Sequence, residues 1–361
     1  MRSATLKVPG ATLYYEVRGS GPVLLLLPGS GGDAAVFDPI ADTLAEHFTV
    51  VTLDPRGYSR SVLDSPEPVD QQVAVQRDDA HRLLETLTPA GEDAYIFGGS
   101  GGAVVALDLL AHHPERLRLV IAHEPPCFAV LPDAAEQKAF IDEVYTLFRT
   151  EGVAAAGTRF LEGIGGTMKA MPNPAELPPR TAEMIHRLHA NAPLMMAHEL
   201  RPITSYIPNE TALAPLAHRL ILAAGKETRA HLPHRPAVTL ADHLHIPLTE
   251  FPGGHSGFTE TPPNSPPNYS TSYWPRACVS GTVPKCGTRG GRYLSRPPSG
   301  RRDRQQRAGP TGCWFADVSD DQRRVTPSTR RASCVLPPRP GTRLPSECRA
   351  CPRLRTCRVG V

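Results

Sequence analysis

The sequence predicts an α/β protein built on a mostly parallel sheet with helices on both faces. Three observations predict it. Short apolar runs alternate with stretches of helical periodicity through residues 23–122 and again through 218–251, the pattern of repeated strand-helix units. The run Val23-Leu24-Leu25-Leu26-Leu27 is apolar at every position rather than at every second one, as in a strand buried on both faces. Glycines crowd the points where such runs end, at Pro28-Gly29-Ser30-Gly31-Gly32 and at Gly98-Gly99-Ser100-Gly101-Gly102, and a strand that turns abruptly into a helix needs residues without side chains there.

Each element follows from its local pattern. Residues 5–17 alternate apolar and polar side chains around Pro9-Gly10 and predict an antiparallel hairpin. A strand over 23–27, a helix over 35–47 and a strand over 49–53 come next, the last stopping at Asp54-Pro55-Arg56-Gly57-Tyr58-Ser59-Arg60-Ser61. Residues 73–87 are helical, with Val73, Ala80, Leu83, Leu84 and Leu87 on one side. Residues 94–97 form a strand, 103–112 a helix and 117–122 a strand. The rhythm then breaks: residues 127–216 carry helical patterns over 134–149, 153–161, 181–190 and 194–207. An insertion of that size between two strands predicts a helical cap over the carboxyl edge of the sheet. It divides a core of residues 1–126 and 217–260, where a strand over 218–224, a helix over 236–244 and a strand over 247–251 lead to Pro252-Gly253-Gly254-His255.

Ser100 is the candidate nucleophile. In Gly98-x-Ser100-x-Gly102 a strand meets a helix in a turn tight enough to project the serine hydroxyl at the strand's carboxyl end. Gly101 then presents a backbone N–H to a developing oxyanion. Acyl transfer further needs a base and a group that orients it. His255 is the candidate base, because it follows the last strand in a glycine-rich loop, whereas His81, His186, His189 and His198 lie in helical surface segments. His123, at another strand end, is the rival and is read as a packed strand-end histidine. Asp54 and Arg56 are read as bracing their own loop, and Asp242 is placed in a helix.

Four features in order carry a resemblance: Pro28-Gly29-Ser30-Gly31-Gly32, Asp54-x-Arg56-Gly57-x-Ser59, the Ser100 turn, and Gly253-Gly254-His255. Over residues 5–260 the chain resembles the α/β-hydrolase family, in particular its lidded, esterase-like members that use no cofactor. The resemblance implies the α/β-hydrolase fold with a helical cap, a serine hydrolase acting on a small ester, thioester or lactone, and an oxyanion hole from the N–H groups of Ser30 and Gly101. Family members usually carry the orienting acid three residues past a glycine after the strand over 218–224. Here that position is Thr228, a departure from the pattern, with Glu227 just before it. Other members place the acid directly after the strand that follows the elbow helix, where Glu124 sits before Pro125-Pro126. Glu124 is favoured and Glu227 is the alternative. Non-hydrolytic and carbon–carbon-cleaving chemistry belong to the same fold. Met168, Met171, Met195, Met196, Phe140, Phe148 and Phe160 could line an apolar acyl pocket, or form the core of the cap.

Charge divides the chain. Residues 261–361 hold 19 Lys and Arg against 5 Asp and Glu and seven of the eight cysteines, whereas residues 1–260 hold 20 against 31 and Cys127 alone. The first 21 residues have no basic start followed by an apolar stretch, so a cytoplasmic protein without membrane spans is expected. Segment 261–361 is rich in Arg, Pro, Ser, Gly and Cys without periodicity and is expected to be disordered. A last helix should follow the histidine strand, but Pro262, Pro263, Pro266 and Pro267 forbid it. Read one base earlier, the codons of residues 261–275 give apolar residues at 265, 269, 270, 273 and 274, one face of a helix. A single-base shift near codon 260 accounts for the change. A basic nucleic-acid-binding tail and a zinc site of Cys334, Cys348, Cys351 and Cys357 are the competing readings; no nucleic-acid partner is expected.

Overall fold

The computed structural model describes residues 1–257 except 66 and 167–172. The expectations for residues 258–361, and the pocket roles of Met168 and Met171, lie outside the described residues. Strands β1 (Arg2–Val8) and β2 (Ala11–Arg18) form the expected hairpin, Gly10 taking φ 79° in its turn. Then come β3 (Val23–Leu27), α1 (Asp38–Leu44), β4 (Thr49–Leu53), the short β5 (Val62–Leu63) and α2 (Val73–Leu87). The expected helix over 35–47 is thus a 3-10 turn (Ala34–Phe37) leading into a shorter α1, with Pro39 in its first turn, a position where the missing N–H costs nothing. After these, β6 (Ala94–Gly99), α3 (Gly101–His112) and β7 (Leu117–His123) build the centre.

The insertion contributes α4 (Ala134–Glu151), α5 (Val153–Gly163), α6 (Pro179–Leu194), α7 (Leu200–Thr204) and α8 (Glu210–Leu213). The segment expected as one helix over 194–207 is the end of α6, a π-helical turn (Met195–Glu199) and α7. The core returns with β8 (Leu220–Gly225), α9 (His234–His243) and β9 (Leu248–Phe251).

The strand order is β1-β2-β4-β3-β6-β7-β8-β9, with β5 beside β2. Every pairing from β4 across to β9 is parallel, and the pairings of β2 with its neighbours are antiparallel. The all-apolar β3 serves two cores: Val23, Leu25 and Leu27 join the cluster with α2, α3 and α9, while Leu24 and Leu26 join the one with Phe37, Ile40 and Leu44. Strand alternation makes this division, since successive side chains face opposite ways. The cap has its own cluster, in which Phe128, Ile141, Val144, Leu161, Ile164, Met196 and Leu200 are buried. Among the described residues no helix is long and apolar enough to cross a membrane.

Candidate active site

All the elements of the site converge at the carboxyl ends of the parallel strands. Ser100 joins β6 to α3 at φ 53°, ψ −122°, a conformation that non-glycine residues occupy at a cost of about 1–3 kcal/mol. Its N–H donates to the His123 carbonyl at 2.9 Å, which fixes the turn on the neighbouring strand. The flanking glycines are demanded by close approach: a Cβ at Gly98 would overlap the Gly102 carbonyl, and one at Gly102 would overlap the Leu27 carbonyl. Gly29 lies over the serine, so close that a Cβ there would come 3.2 Å from Ser100 Cβ and 3.7 Å from its Oγ. A Cβ on Gly101 would reach 3.0 Å from the Ser30 nitrogen. The two backbones named as oxyanion donors therefore run side by side, and Gly101 is the first residue of α3, where helical N–H groups lack intrahelical partners.

His255 follows β9, and its Nδ1 lies 2.6 Å from Glu124 Oε2. Glu124 follows β7 directly, at φ 46°, and has no solvent exposure. Its other oxygen, Oε1, accepts from the Gly225 N–H at 2.8 Å and from the Thr228 hydroxyl. Burial acts to raise the Glu124 pKa, but the hydrogen bond and charge of His255, with His123 and the Thr228 hydroxyl, hold it at about 2. It is an ionised partner for a histidine N–H.

Between the two acids the geometry is unequal. Glu227 is exposed, and its backbone N–H, not its carboxylate, reaches the histidine loop by donating to the Gly253 carbonyl at 3.1 Å. The structure brings Glu124 to His255 and leaves Glu227 exposed to solvent. Thr228, at the position where the resemblance places an aspartate, turns its hydroxyl to Glu124 instead. The rival His123 is fully buried and stacks on the Phe251 ring at a centroid distance of 5.7 Å. Burial pushes its pKa down to about 4. Asp54 accepts from the Ala34 N–H and from Arg60, while Arg56 holds Asp79 by two hydrogen bonds of 2.6 and 2.7 Å.

Ser100 and His255 open into one cavity of about 660 Å³, walled on the cap side by Phe160, Met184, Leu188, Met195 and Met196. Of the expected pocket residues, Phe140 and Phe148 pack in the cap cluster instead. Sequence reasoning missed Asn191 and Glu199, both buried. The only signal was an acid within the apolar run Leu194-Met195-Met196-Ala197-His198-Glu199-Leu200. Among the described residues no group of three or more His, Cys, Asp or Glu could hold a metal ion.

A capped parallel sheet with a serine on a strand-to-helix elbow and a histidine–carboxylate pair at adjacent strand ends defines the class: the chain belongs to the alpha/beta hydrolase fold family. The family model described as alpha/beta hydrolase fold matches residues 22–162. The chain is 36% identical over 265 residues to an uncharacterized hydrolase, YraK, of Bacillus subtilis (strain 168), covering 72% of this chain and 91% of that protein. It is 37% identical over 128 residues to a zearalenone hydrolase of Cladophialophora bantiana, covering 35% of this chain and 48% of that protein. The fold is also that of a thermophilic esterase from Thermogutta terrifontis, with a TM-score of 0.56 at 21% identity, over 73% of this chain and 94% of that one. The protein is thus a hydrolase of the alpha/beta fold.

Proposed function

We propose that the protein is a serine hydrolase that cleaves a carboxylic ester, thioester or lactone through an acyl-enzyme on Ser100. The observation that carries this reading is the His255–Glu124 pair, 2.6 Å apart, whose histidine opens into the same cavity as the strained serine elbow. In this mechanism His255 Nε2 takes the Ser100 hydroxyl proton as the oxygen attacks the carbonyl carbon, and Glu124 holds the Nδ1–H and offsets the imidazolium charge. The carbonyl oxygen, now anionic, accepts from the N–H groups of Ser30 and Gly101. His255 returns the proton to the leaving alcohol or thiol; it then deprotonates the water that attacks the acyl-enzyme, and Ser100 is released with its proton restored. For a lactone the leaving hydroxyl stays on the acyl chain. The cavity is of a size that buries a drug-sized ligand, and its methionines and Phe160 favour an apolar acyl group.

A fluorophosphonate probe and a series of p-nitrophenyl esters of rising acyl length test the reading. Wild-type protein is expected to be labelled at Ser100 and to prefer longer acyl chains, and Ser100→Ala to lose both labelling and turnover. Folded wild-type protein that neither takes the label nor cleaves any ester of the series would refute it.

A further inference from the structure

The oxyanion loop is gripped from the cap by both polar groups of one residue. Gly31, next to Ser30, takes φ 71° in the turn after β3. Its N–H donates to Glu199 Oε2 at 3.1 Å, and its carbonyl accepts from Asn191 Nδ2 at 2.9 Å. Met195 closes the third side: a Cβ on Gly31 would come 3.3 Å from Met195 Cβ and Cγ. Asn191, Met195 and Glu199 are spaced by four residues along α6 and the turn that follows it. On a regular α-helix the third of these would have drifted off the face of the first. Here the Leu200 N–H bonds back five residues to the Met195 carbonyl, and this wider turn keeps Glu199 on the side that meets Gly31.

The grip is itself anchored. Asn191 uses its whole amide, accepting from the Ser59 N–H at 3.0 Å and donating to Ser59 Oγ at 2.9 Å as well as to Gly31. Glu199 accepts from the Tyr58 hydroxyl at 2.6 Å and from Gln76 Nε2 at 3.2 Å, and the Ser30 hydroxyl bonds it too. Four donors converge on one carboxylate at 2% exposure. A carboxylate that only accepts fits such a set, whereas an amide in its place would turn a donor toward a donor.

We infer that Asn191 and Glu199 are positioning residues that set the Ser30 N–H for the oxyanion by clamping the Gly31 peptide, so that the oxyanion hole reaches its working geometry only with the cap seated. The inference rests on the serine-hydrolase reading above. A donor serves an oxyanion only where it is already aimed. Loosening the clamp therefore weakens the tetrahedral state and leaves ground-state binding nearly unchanged, a loss in kcat rather than KM.

The test uses the full-length chain, a p-nitrophenyl ester and an alkylboronic acid, which adds to a serine hydroxyl as a tetrahedral anion. Glu199→Gln and Asn191→Ala are each expected to lower kcat about ten-fold or more, with KM held within about two-fold. Boronate affinity should fall by the same factor, while inhibition by the matching carboxylic acid stays level. Arg159→Ala, which breaks an exposed cap ion pair with Glu143 at 2.9 Å, is expected to behave as wild type. Folded variants that keep kcat and boronate affinity overturn the inference, as do variants in which KM and acid inhibition change in step with kcat. If Glu199→Gln does not fold, Asn191→Ala and Tyr58→Phe decide by the same criteria. Wild-type protein inert to both ester and boronate overturns the underlying reading before any variant is made, and so is told apart from failure of the clamp.

Discussion

Ser100 sits at a backbone conformation that favours glycine, φ 53° and ψ −122°, so the residue proposed to react also strains the fold. Relief of that strain is measurable: Ser100→Gly is expected to be more stable than Ser100→Ala by about 1 kcal/mol, both inactive, with calorimetry as the check. Glu124 provides the next two expectations. Glu124→Gln should lower kcat by about 10²–10⁴-fold, because an amide no longer fixes the His255 tautomer, and Glu227→Gln should leave turnover at the wild-type level. The folded pKa of Glu124 lies below its ordinary 4.5, at about 2, so its contribution to stability is complete above that ordinary value and is lost as pH falls through the folded one. An acid-unfolding series should accordingly show the wild type's margin over Glu124→Gln shrinking below about pH 4.5. At this scale the sequence was most informative where the requirement is local. Gly98 is visible because backbone contact with Gly102, four residues on, forbids a Cβ. The preference for Glu124 over Glu227 had a local basis, the strand end and Pro125-Pro126 that fix Glu124 against the Lys226 and Arg229 that flank Glu227, but the contact itself depends on where β9 brings His255.

The cap helix α6 reaches the core through two arginines. Arg180 pairs with Asp38 and Glu16, and Arg187 with the buried Asp33 at 2.6 Å. Burial raises the Asp33 pKa against the opposing hydrogen bond from Arg187. Arg187→Met would leave the Asp33 carboxylate with only the Ala35 N–H and the Ser59 hydroxyl. A loss on the order of 3 kcal/mol and faster amide exchange in α6 are expected, read by denaturant titration and hydrogen exchange. Strands and helices of the core were legible because apolar runs and the 3.6-residue period each encode one environment. The π turn was not, because a wider turn follows from what Glu199 meets, and its partner Gly31 is 168 residues away.

Across the whole molecule, the parallel pairing of the core strands was implied by the alternation of strands and helices, whereas their order, with β3 between β4 and β6, and the neighbours of β2 were not, since a hairpin can join a sheet at either edge. The single-base shift expected near codon 260 is tested by the coding nucleotides: read one base earlier across codons 261–275 they should encode an amphipathic helix. The site itself is spread over four consecutive sheet positions. Ser100 follows β6, Glu124 follows β7, Gly225 ends β8 with Thr228 just beyond it, and His255 follows β9, a strand of four residues with Phe251 as its one buried side chain. Ser100 and Glu124 are fixed by the sheet's centre, but His255, the proposed proton carrier, hangs from its margin. Detachment of that last strand would silence the enzyme while the sheet, its helices and the strained elbow stayed intact. Turnover then becomes a gauge of how firmly one short strand is docked, and under rising urea it should vanish before the circular dichroism of the protein changes.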